Sequence, residues 1–321
     1  MLIKVEGTSL DSATAKDDLP LAVGPAITTN GGFSKGVSMF IATLVAKDRL
    51  SAGDISAAVD RLRSMTGLET RSLAKDKAVD IAFSGDPLAA RAALEEQIAG
   101  VDVIIQPEAY RRRKLLVADM DSTMITIECI DELADYAGIK PQIAAVTERA
   151  MRGELDFEDA LRSRVALLAG LSDNVVQQCL AERVKIMPGA RELVAQVHAN
   201  GGYAVLVSGG FTHFAEPVGK MIGFDRVIAN RLGFTNGRLN GSVEGAIVGA
   251  LTKRETLMAV LAEKGWPVEA SLAVGDGAND IPMIEAAGLG VAYHAKLKAK
   301  ASAGAAVIYG DLGALAFAIG R

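Results

Sequence analysis

Short apolar runs that stop at polar residues constrain the fold of this chain most strongly. The runs, each with the residues that follow it, are 115–118 before Asp119, 204–207 before Ser208 and 271–274 before 275–280. Helical patterns separate the runs, and this alternation predicts an α/β fold with a parallel sheet and helices on its faces. Because ligands collect at the carboxyl ends of parallel strands, we expect the three polar ends to share one site.

Asp119 and Asp121 place two carboxylates one residue apart, directly after the first of these strands. Aspartate is disfavoured in strands and like charges repel, so the placement needs a compensating function. Mg²⁺ prefers hard oxygen ligands and offsets such repulsion, and a carboxylate can attack phosphorus to form an acyl phosphate. The pair therefore indicates phosphoryl chemistry that a divalent cation supports.

Composition narrows the classes of protein to consider. The chain has 321 residues, half of them hydrophobic, and its net charge is −5. This length suits two domains or one large one, and the charge argues against nucleic-acid or membrane-surface partners. The sequence has only two cysteines, Cys129 and Cys179, and shows neither a bilayer-spanning run nor a signal pattern. We therefore expect a cytoplasmic protein.

The first third of the chain has its own organisation. Residues 1–36 are rich in Gly, Ser, Thr and Asp and lack periodicity, which predicts a loose arm. Residues 37–106 follow the order strand, helix, strand, strand, helix, strand, with Ser51 and Asp86 placed to begin the two helices. This order is the split βαβ arrangement of ferredoxin-like folds.

On that pattern, residues 37–106 resemble the ACT family, and the resemblance implies a small α+β domain of a kind that often binds amino acids. A packing or dimerising module without a ligand fits the pattern equally well, so a homodimer stays open. The basic run 111–114 follows and is interpreted as a solvated linker. Residues 107–321 are predicted to form the second domain.

An insert at about residues 124–182 follows the first core strand and has helical patterns. Gly138 can end one helix, and Asp156 and Ser172 can begin two others. Its place in the chain predicts a helical cap over the site. Residues 227–245 carry two Asn-Gly turn signals, which predict an antiparallel hairpin at the edge of the sheet.

Four motifs occur in order along residues 115–321. They are Asp119-Met120-Asp121-Ser122-Thr123, Ser208-Gly209-Gly210, Lys253 and Gly275-Asp276-Gly277-Ala278-Asn279-Asp280. By these motifs the chain is identified as a member of the haloacid dehalogenase (HAD) superfamily of phosphotransferases, which have a Rossmann-like core. Within it the chain resembles the phosphoserine phosphatases, since Glu128 lies nine residues after Asp119 and the run 151–157 leads to Arg164.

The resemblance implies a role for each matched residue, and the residue types agree with those roles. The predicted catalytic residues are Asp119 as nucleophile, Asp121 as general acid and base, and Lys253 as a fixed positive charge. The predicted substrate-binding residues are Glu128, Arg164, Ser208, Gly209, Lys253 and Asn279. The predicted ligands of Mg²⁺ are the Asp119 side chain, the Asp121 backbone carbonyl and the Asp276 side chain. Asp280 is expected in or near the layer of residues that contacts these ligands.

Three functions stay open at this level. The first is Mg²⁺-dependent hydrolysis of the small molecule O-phosphoserine to serine and phosphate, the last step of serine biosynthesis. The second is the same chemistry on another small phosphomonoester, or transfer to an acceptor other than water. The third is an amino-acid-sensing regulatory protein with a vestigial phosphatase half. The complete set of Asp119, Asp121, Lys253 and Asp276 argues against the third.

Overall fold

A computed structural model describes residues 39–321. The arm predicted for residues 1–36 lies outside the described residues, as do the first two positions of the strand predicted from residue 37. Among the helices of residues 39–321, none combines the length and the apolar character needed to cross a bilayer.

A four-stranded antiparallel sheet comes first along the chain. Its strands are β1 (Met39–Ala46), β2 (Thr66–Ala74), β3 (Ala78–Ser84) and β4 (Val101–Pro107), in the order β2-β3-β1-β4. Two helices connect them, α1 (Ala52–Arg61) and α2 (Pro87–Leu94). Ser51 accepts the Asp54 N–H at the start of α1, and Asp86 accepts the Leu88 N–H at the start of α2. The predicted element order is confirmed, and the closer resemblance to the ACT family stays a prediction.

A seven-stranded sheet forms the core of the remaining residues. Its strands are β5 (Leu115–Ala118), β6 (Tyr203–Phe211), β7 (Arg226–Thr235), β8 (Arg238–Glu244), β9 (Ser271–Gly275), β10 (Leu289–Tyr293) and β11 (Ala305–Val307). The order is β11-β10-β9-β5-β6-β7-β8, and neighbours are parallel except for the hairpin β7–β8. The predicted parallel core and its edge hairpin are confirmed.

Helices cover the second sheet and also form the insert after β5. The insert contains α3 (Cys129–Tyr136), α4 (Lys140–Met151), α5 (Phe157–Leu167) and α6 (Asp173–Arg183), which we call the cap. The later helices are α7 (Ala190–Ala199), α8 (Thr212–Ile222), α9 (Ala250–Lys264), α10 (Ile281–Ala286), α11 (Leu297–Ser302) and α12 (Gly313–Ala318). Asp156 and Ser172 begin α5 and α6 through side-chain bonds to backbone N–H groups, as predicted.

The sequence interpretation of the basic run is wrong for two of its four residues, since Arg112 and Lys114 are exposed whereas Arg111 and Arg113 are buried. Arg113 is fully buried, and Arg111 keeps only 7% of its surface exposed. The Arg113 guanidinium donates to Gln106 Oε1 from Nε and Nη2, at 3.1 and 2.9 Å, and burial lowers its pKa to about 10. Arg111 donates to the buried Asp80 carboxylate. Residues 108–114, which we call the linker, therefore join the two sheets through buried polar contacts.

Other contacts fasten the two sheets together. Asp102 of β4 is buried and accepts the backbone N–H groups of Ile308, Tyr309 and Gly310 at 2.7, 3.0 and 2.7 Å. Apolar residues of the first sheet, such as Ile104, belong to the same buried cluster as residues of α7 and α12. The first sheet thus covers part of the apolar surface of the second.

These contacts predict the outcome of cutting the chain between the sheets. We expect residues 107–321 alone to unfold at a lower urea concentration, because removing the first sheet exposes the apolar residues of α7 and α12 that share a buried cluster with it. Urea unfolding checks this, with residues 39–321 as the matched control. If the two fragments unfold at the same urea concentration, the buried contacts between the sheets contribute nothing to stability.

Candidate active site

The middle strand of the second sheet places the first acidic residue. Ala118 at the end of β5 pairs with Leu206 of β6 on one side and with Val274 of β9 on the other. The Asp119 N–H continues the ladder by donating to the Val274 carbonyl at 3.0 Å. The three polar strand ends therefore meet at one edge, as the sequence predicts.

Lys253 joins two of the carboxylates at this edge. Its Nζ lies 2.7 Å from Asp119 Oδ1 and 2.7 Å from Asp280 Oδ1, and its side chain is fully buried. Burial lowers the pKa of Lys253, but the charges of Asp119 and Asp280 outweigh burial and raise it above its usual value. The ammonium therefore stays charged at neutral pH. The Met120 N–H donates to Asp119 Oδ1 at 2.8 Å, so this carboxylate is fixed through one oxygen.

Asp280 holds the loop after β9 in place. Its Oδ2 accepts the N–H groups of Asp276 and Gly277 at 3.1 and 3.0 Å, while Oδ1 faces Lys253. A Cβ at Gly275 would collide with the Asp280 carboxyl group, so the strand must end in glycine here. Both oxygens of Asp280 are thus engaged with the protein, which makes it a positioning residue.

The carboxylates form a cluster that suits a divalent cation. Oxygens of Asp119, Asp276 and Asp280 lie within 4.8 Å of one another. Burial, followed by the Asp280 charge, raises the pKa of Asp276 to about 6, and a bond of 3.2 Å from the Thr123 hydroxyl opposes the shift. Carboxylate oxygens are the ligands that Mg²⁺ prefers, so this donor set fits the ion. Asp119 and Asp276 are the better side-chain ligands, since Asp280 is already bonded through both oxygens.

Asp121 is in a different environment from Asp119. Burial and then the Glu128 charge raise its pKa to about 7, although hydrogen bonds with Cys129 oppose the shift. Its Oδ1 is buried and has no hydrogen-bond partner within residues 39–321. A carboxyl group with this pKa carries a proton for part of the time at neutral pH, and so can donate one and take one back.

The loop after β6 presents small residues to the acidic pair. Ser208 is buried, and its Oγ accepts the Gly210 N–H at 2.8 Å. A Cβ at Gly210 would lie 3.0 Å from Ser208 Oγ and 3.2 Å from Asp121 Oδ2. A Cβ at Gly209 would lie 3.2 Å from the Phe157 ring of the cap. Glycine at position 210 keeps the space next to Asp121 open, and glycine at position 209 lets the Phe157 ring of α5 pack against this loop.

The cap contributes a pair of opposite charges near Asp121. Glu128 precedes α3, and its Oε1 accepts the Ser122 hydroxyl at 2.7 Å. Arg164 is half-buried in α5. Burial lowers the pKa of Arg164, and the charges of Asp131, Glu128 and Asp121 oppose this. In the structure the charges of Glu128 and Asp121 both act on Arg164, and a shared substrate pocket formed by Glu128 and Arg164 stays a prediction.

Asn279 lies at the edge of this group of residues. It is half-buried in the short 3₁₀ turn Ala278–Asp280, and its carboxamide packs against Gly277, where a Cβ would overlap it. The structure thus brings all the predicted site residues to the strand ends or to the cap beside them.

Asn230 is a residue that the sequence reasoning missed. It lies in β7, is 99% buried, and its Nδ2 donates to the carbonyls of Gly209 and Val248 at 2.9 and 3.2 Å. Its Oδ1 accepts the Val248 N–H at 2.8 Å. Asn230 therefore ties the Ser208 loop to the segment that leads into α9 and Lys253. An asparagine in the middle of a strand was the available signal, because strands disfavour it.

We expect Asn230→Ala to lower kcat by about 10–100-fold, because three backbone groups lose their partner and the two loops shift. Steady-state rates measure this, and Asn174→Ala, at the exposed start of α6, is the matched control. If Asn230→Ala lowers the melting temperature but keeps the wild-type kcat, the residue supports the fold alone.

Comparison with known proteins agrees with this geometry. The family of haloacid dehalogenase-like hydrolases matches residues 116–285. A phosphoserine phosphatase of Albidiferax ferrireducens is 45% identical over 204 residues, which cover 62% of this chain and 86% of that protein. A phosphoserine phosphatase of Mycobacterium tuberculosis is 36% identical over 327 residues, which cover 98% of this chain and 77% of that protein.

A solved structure extends the comparison to the fold. The unliganded form of a probable phosphoserine phosphatase from Vibrio cholerae superposes with a TM-score of 0.69 at 34% identity. The match covers 88% of this chain and 87% of the other. The sequence matches, this shared fold and the carboxylates gathered around Lys253 agree with one another. The chain belongs to the haloacid dehalogenase-like hydrolases and, among them, to the phosphoserine phosphatases.

Proposed function

We propose that this protein hydrolyses O-phosphoserine to serine and inorganic phosphate through a phosphorylated Asp119. The observation that carries the proposal is the contrast between two neighbouring carboxylates. Asp119 Oδ1 lies 2.7 Å from Lys253 Nζ and accepts the Met120 N–H at 2.8 Å, whereas Asp121 Oδ1 has no hydrogen-bond partner within residues 39–321. Burial raises the pKa of both carboxyl groups, and the Lys253 charge opposes the rise at Asp119. One carboxylate is thus held for attack and the other is suited to proton transfer. Relatives named phosphoserine phosphatase supply the substrate class.

The first half of the reaction transfers the phosphoryl group. An Asp119 carboxylate oxygen attacks phosphorus, and the bond from phosphorus to the serine oxygen breaks. Asp121 gives its proton to that oxygen, so serine leaves as a neutral alcohol. The Lys253 ammonium, the Ser208 hydroxyl and the Gly209 N–H face the phosphoryl oxygens and stabilise their charge in the transition state.

The second half removes the phosphoryl group from the enzyme. Asp121, now a carboxylate, takes a proton from a water molecule while the water oxygen attacks the phosphorus of the aspartyl phosphate. The acyl phosphate bond breaks, inorganic phosphate leaves, and Asp119 is restored as a carboxylate. Lys253 stays charged throughout, because its pKa is raised above its usual value.

This mechanism predicts a covalent intermediate. We expect acid-quenched enzyme in steady-state turnover to carry the mass of one phosphoryl group on the peptide that contains Asp119. Peptide mass spectrometry measures it, and enzyme quenched before substrate is added is the control. Turnover with the label on a different residue, or with no labelled peptide at all, would overturn the role of Asp119.

Mg²⁺ is part of the same proposal, and the cluster of Asp119, Asp276 and Asp280 supports it. When bound, the ion supplies positive charge that draws electrons from the phosphoryl group and offsets the repulsion between carboxylates. Asp119, Asp276 and the Asp121 backbone carbonyl would hold it. A cytoplasmic location and a place at the serine-forming step of biosynthesis belong to the proposal as well.

Asp276→Asn tests the metal site. We expect the Mg²⁺ concentration for half-maximal rate to rise by about 10-fold or more, because the ion loses an anionic ligand while the side chain keeps its shape. Titration of the rate with Mg²⁺ measures this. Asp225→Asn, which removes a carboxylate that pairs with His198 instead, is the control. An unchanged Mg²⁺ midpoint in Asp276→Asn would remove this residue from the ligand set.

Substrate recognition is assigned to the cap. Phosphoserine carries an ammonium and a carboxylate on one carbon atom, so selecting it requires one anionic and one cationic partner. Glu128 and Arg164 have these charges and both lie near Asp121. A guanidinium can grip a carboxylate through two parallel hydrogen bonds, which suits Arg164 to the substrate carboxylate.

A further inference from the structure

A cavity of about 520 Å³ lies where the first sheet, the linker and the last residues of the chain meet. Its wall includes Arg71 of β2, Arg111 and Arg112 of the linker, and Arg321. The volume is typical of pockets that bind small molecules. The mechanism above uses none of the residues in this wall, so the cavity is distinct from the site at the strand ends.

Positive charge dominates the wall. Within residues 39–321, the only acidic side chain in the wall is Glu108. Behind the wall, Asp80 is buried and serves two of the arginines, since it lies 2.8 Å from Arg71 and also bonds Arg111. Among the described residues, the four arginines thus exceed Glu108, Asp80 and the terminal carboxylate of Arg321 by one charge, in a chain whose net charge is −5. Guanidinium groups crowded around one space repel one another unless an anion joins them.

Arg111 adds an unpaired donor to this wall. Its Nη1 bonds Asp80 and its Nη2 donates to the Phe317 carbonyl at 3.0 Å. Its Nε is buried and has no acceptor in the part of the chain that the structure describes. Buried N–H groups are nearly always paired, so an unpaired one indicates a place for an ion or a water molecule.

Gly320 keeps the space beside these arginines open. Its φ of +110° lies in the region that favours glycine. A Cβ there would lie 3.6 Å from Arg112 Cγ and 3.9 Å from Arg111 Nε, and so between the two arginines. The chain therefore passes over the arginines without a side chain that would fill the gap.

We propose that this cavity binds a small anion with phosphate or carboxylate oxygens, held by Arg112 and Arg321 beside Arg111. Guanidinium groups match the geometry of such oxygens and bind them with charge-assisted hydrogen bonds. The wall combines residues of the first sheet, the linker and the chain end, so the bound anion joins both parts of the molecule and stabilises the folded protein.

Thermal unfolding of the full chain tests the proposal with two probes, inorganic phosphate and malonate. Each is titrated without divalent cations, at an ionic strength held constant with chloride. We expect a saturable rise in melting temperature with at least one probe, and the pair of probes distinguishes phosphate from dicarboxylate ligands. Arg112→Ala and Arg321→Ala should each raise the probe concentration needed for half of the stabilisation by about 10-fold or more. Arg63→Ala, an exposed arginine outside the cavity, should not.

Three results overturn the proposal. An unsaturable rise that is equal in wild type, Arg112→Ala and Arg63→Ala means an adventitious ion only. A saturable response that persists in both cavity variants but disappears in Ser208→Ala belongs to the active site. A crystal structure in which residues before Met39 fill the cavity makes this segment, and not an anion, the occupant.

Discussion

Asp119→Asn should lower kcat for phosphoserine by at least about 10⁴-fold, because a neutral amide cannot form the acyl phosphate. The side chain keeps its shape, and its Oδ1 can still accept the Met120 N–H that it accepts now at 2.8 Å. The variant should therefore stay folded, although a buried Lys253 loses one of its two anionic partners. Phosphate release under saturating substrate and Mg²⁺ measures the effect, and circular dichroism checks the fold.

Asp60→Asn is the matched control, since it makes the same change on the exposed face of α1. It should keep the wild-type rate. Folded Asp119→Asn enzyme with kcat within 10-fold of the wild type would mean that another residue is the nucleophile.

Arg164→Ala should lower kcat/KM for phosphoserine about 30- to 5,000-fold, because the substrate carboxylate loses its cationic partner. This factor corresponds to a loss of about 2–5 kcal/mol of binding energy in the transition state. The same variant should change kcat/KM for p-nitrophenyl phosphate, which lacks both amino and carboxylate groups, far less. Asp119, Asp121 and Lys253 are untouched, so the chemistry of the phosphoryl group is preserved. Steady-state rates with both substrates give the ratio.

Arg162→Ala provides the control on the same helix. Arg162 is exposed and pairs with Glu158 at 2.7 Å on the outer face of α5. It should leave both substrates unaffected. An equal loss for both substrates in Arg164→Ala would mean that this arginine supports the cap in general, and that selection of the amino-acid phosphate lies elsewhere.

The main features of the fold were readable from local signals. Side chains at helix starts, such as Ser51 and Asp156, accept backbone N–H groups within one turn. Three or four neighbouring residues are therefore enough to predict where such a helix begins. The signals for the strand ends at Asp119 and Ser208 were equally local, since each of these residues follows a short apolar run. The topology of the sheet then brings these ends together, whatever the details of packing.

Contacts between distant segments were not readable in this way. Arg113 looks like part of a solvated run, yet it is buried because Gln106 and the carbonyl of Glu269 accept its hydrogen bonds. Asn230 acts on carbonyls at positions 209 and 248, and no local pattern announces such partners. Sequence reasoning expected acidic groups to gather at the strand ends, and Asp119, Asp276 and Asp280 do lie together there. The bonds of Asp280 to Lys253 and to the loop required coordinates.

The most direct test of the account compares substrates for the wild-type protein. Initial rates of phosphate release are measured with Mg²⁺ for phosphoserine, phosphothreonine, glycerol 3-phosphate and p-nitrophenyl phosphate. We expect kcat/KM for phosphoserine to exceed that for the two compounds without an amino acid group by about 10²-fold or more, since those compounds lack the ammonium and carboxylate that Glu128 and Arg164 are proposed to bind. Equal kcat/KM values for all four substrates, or a higher value for glycerol 3-phosphate, would contradict the account.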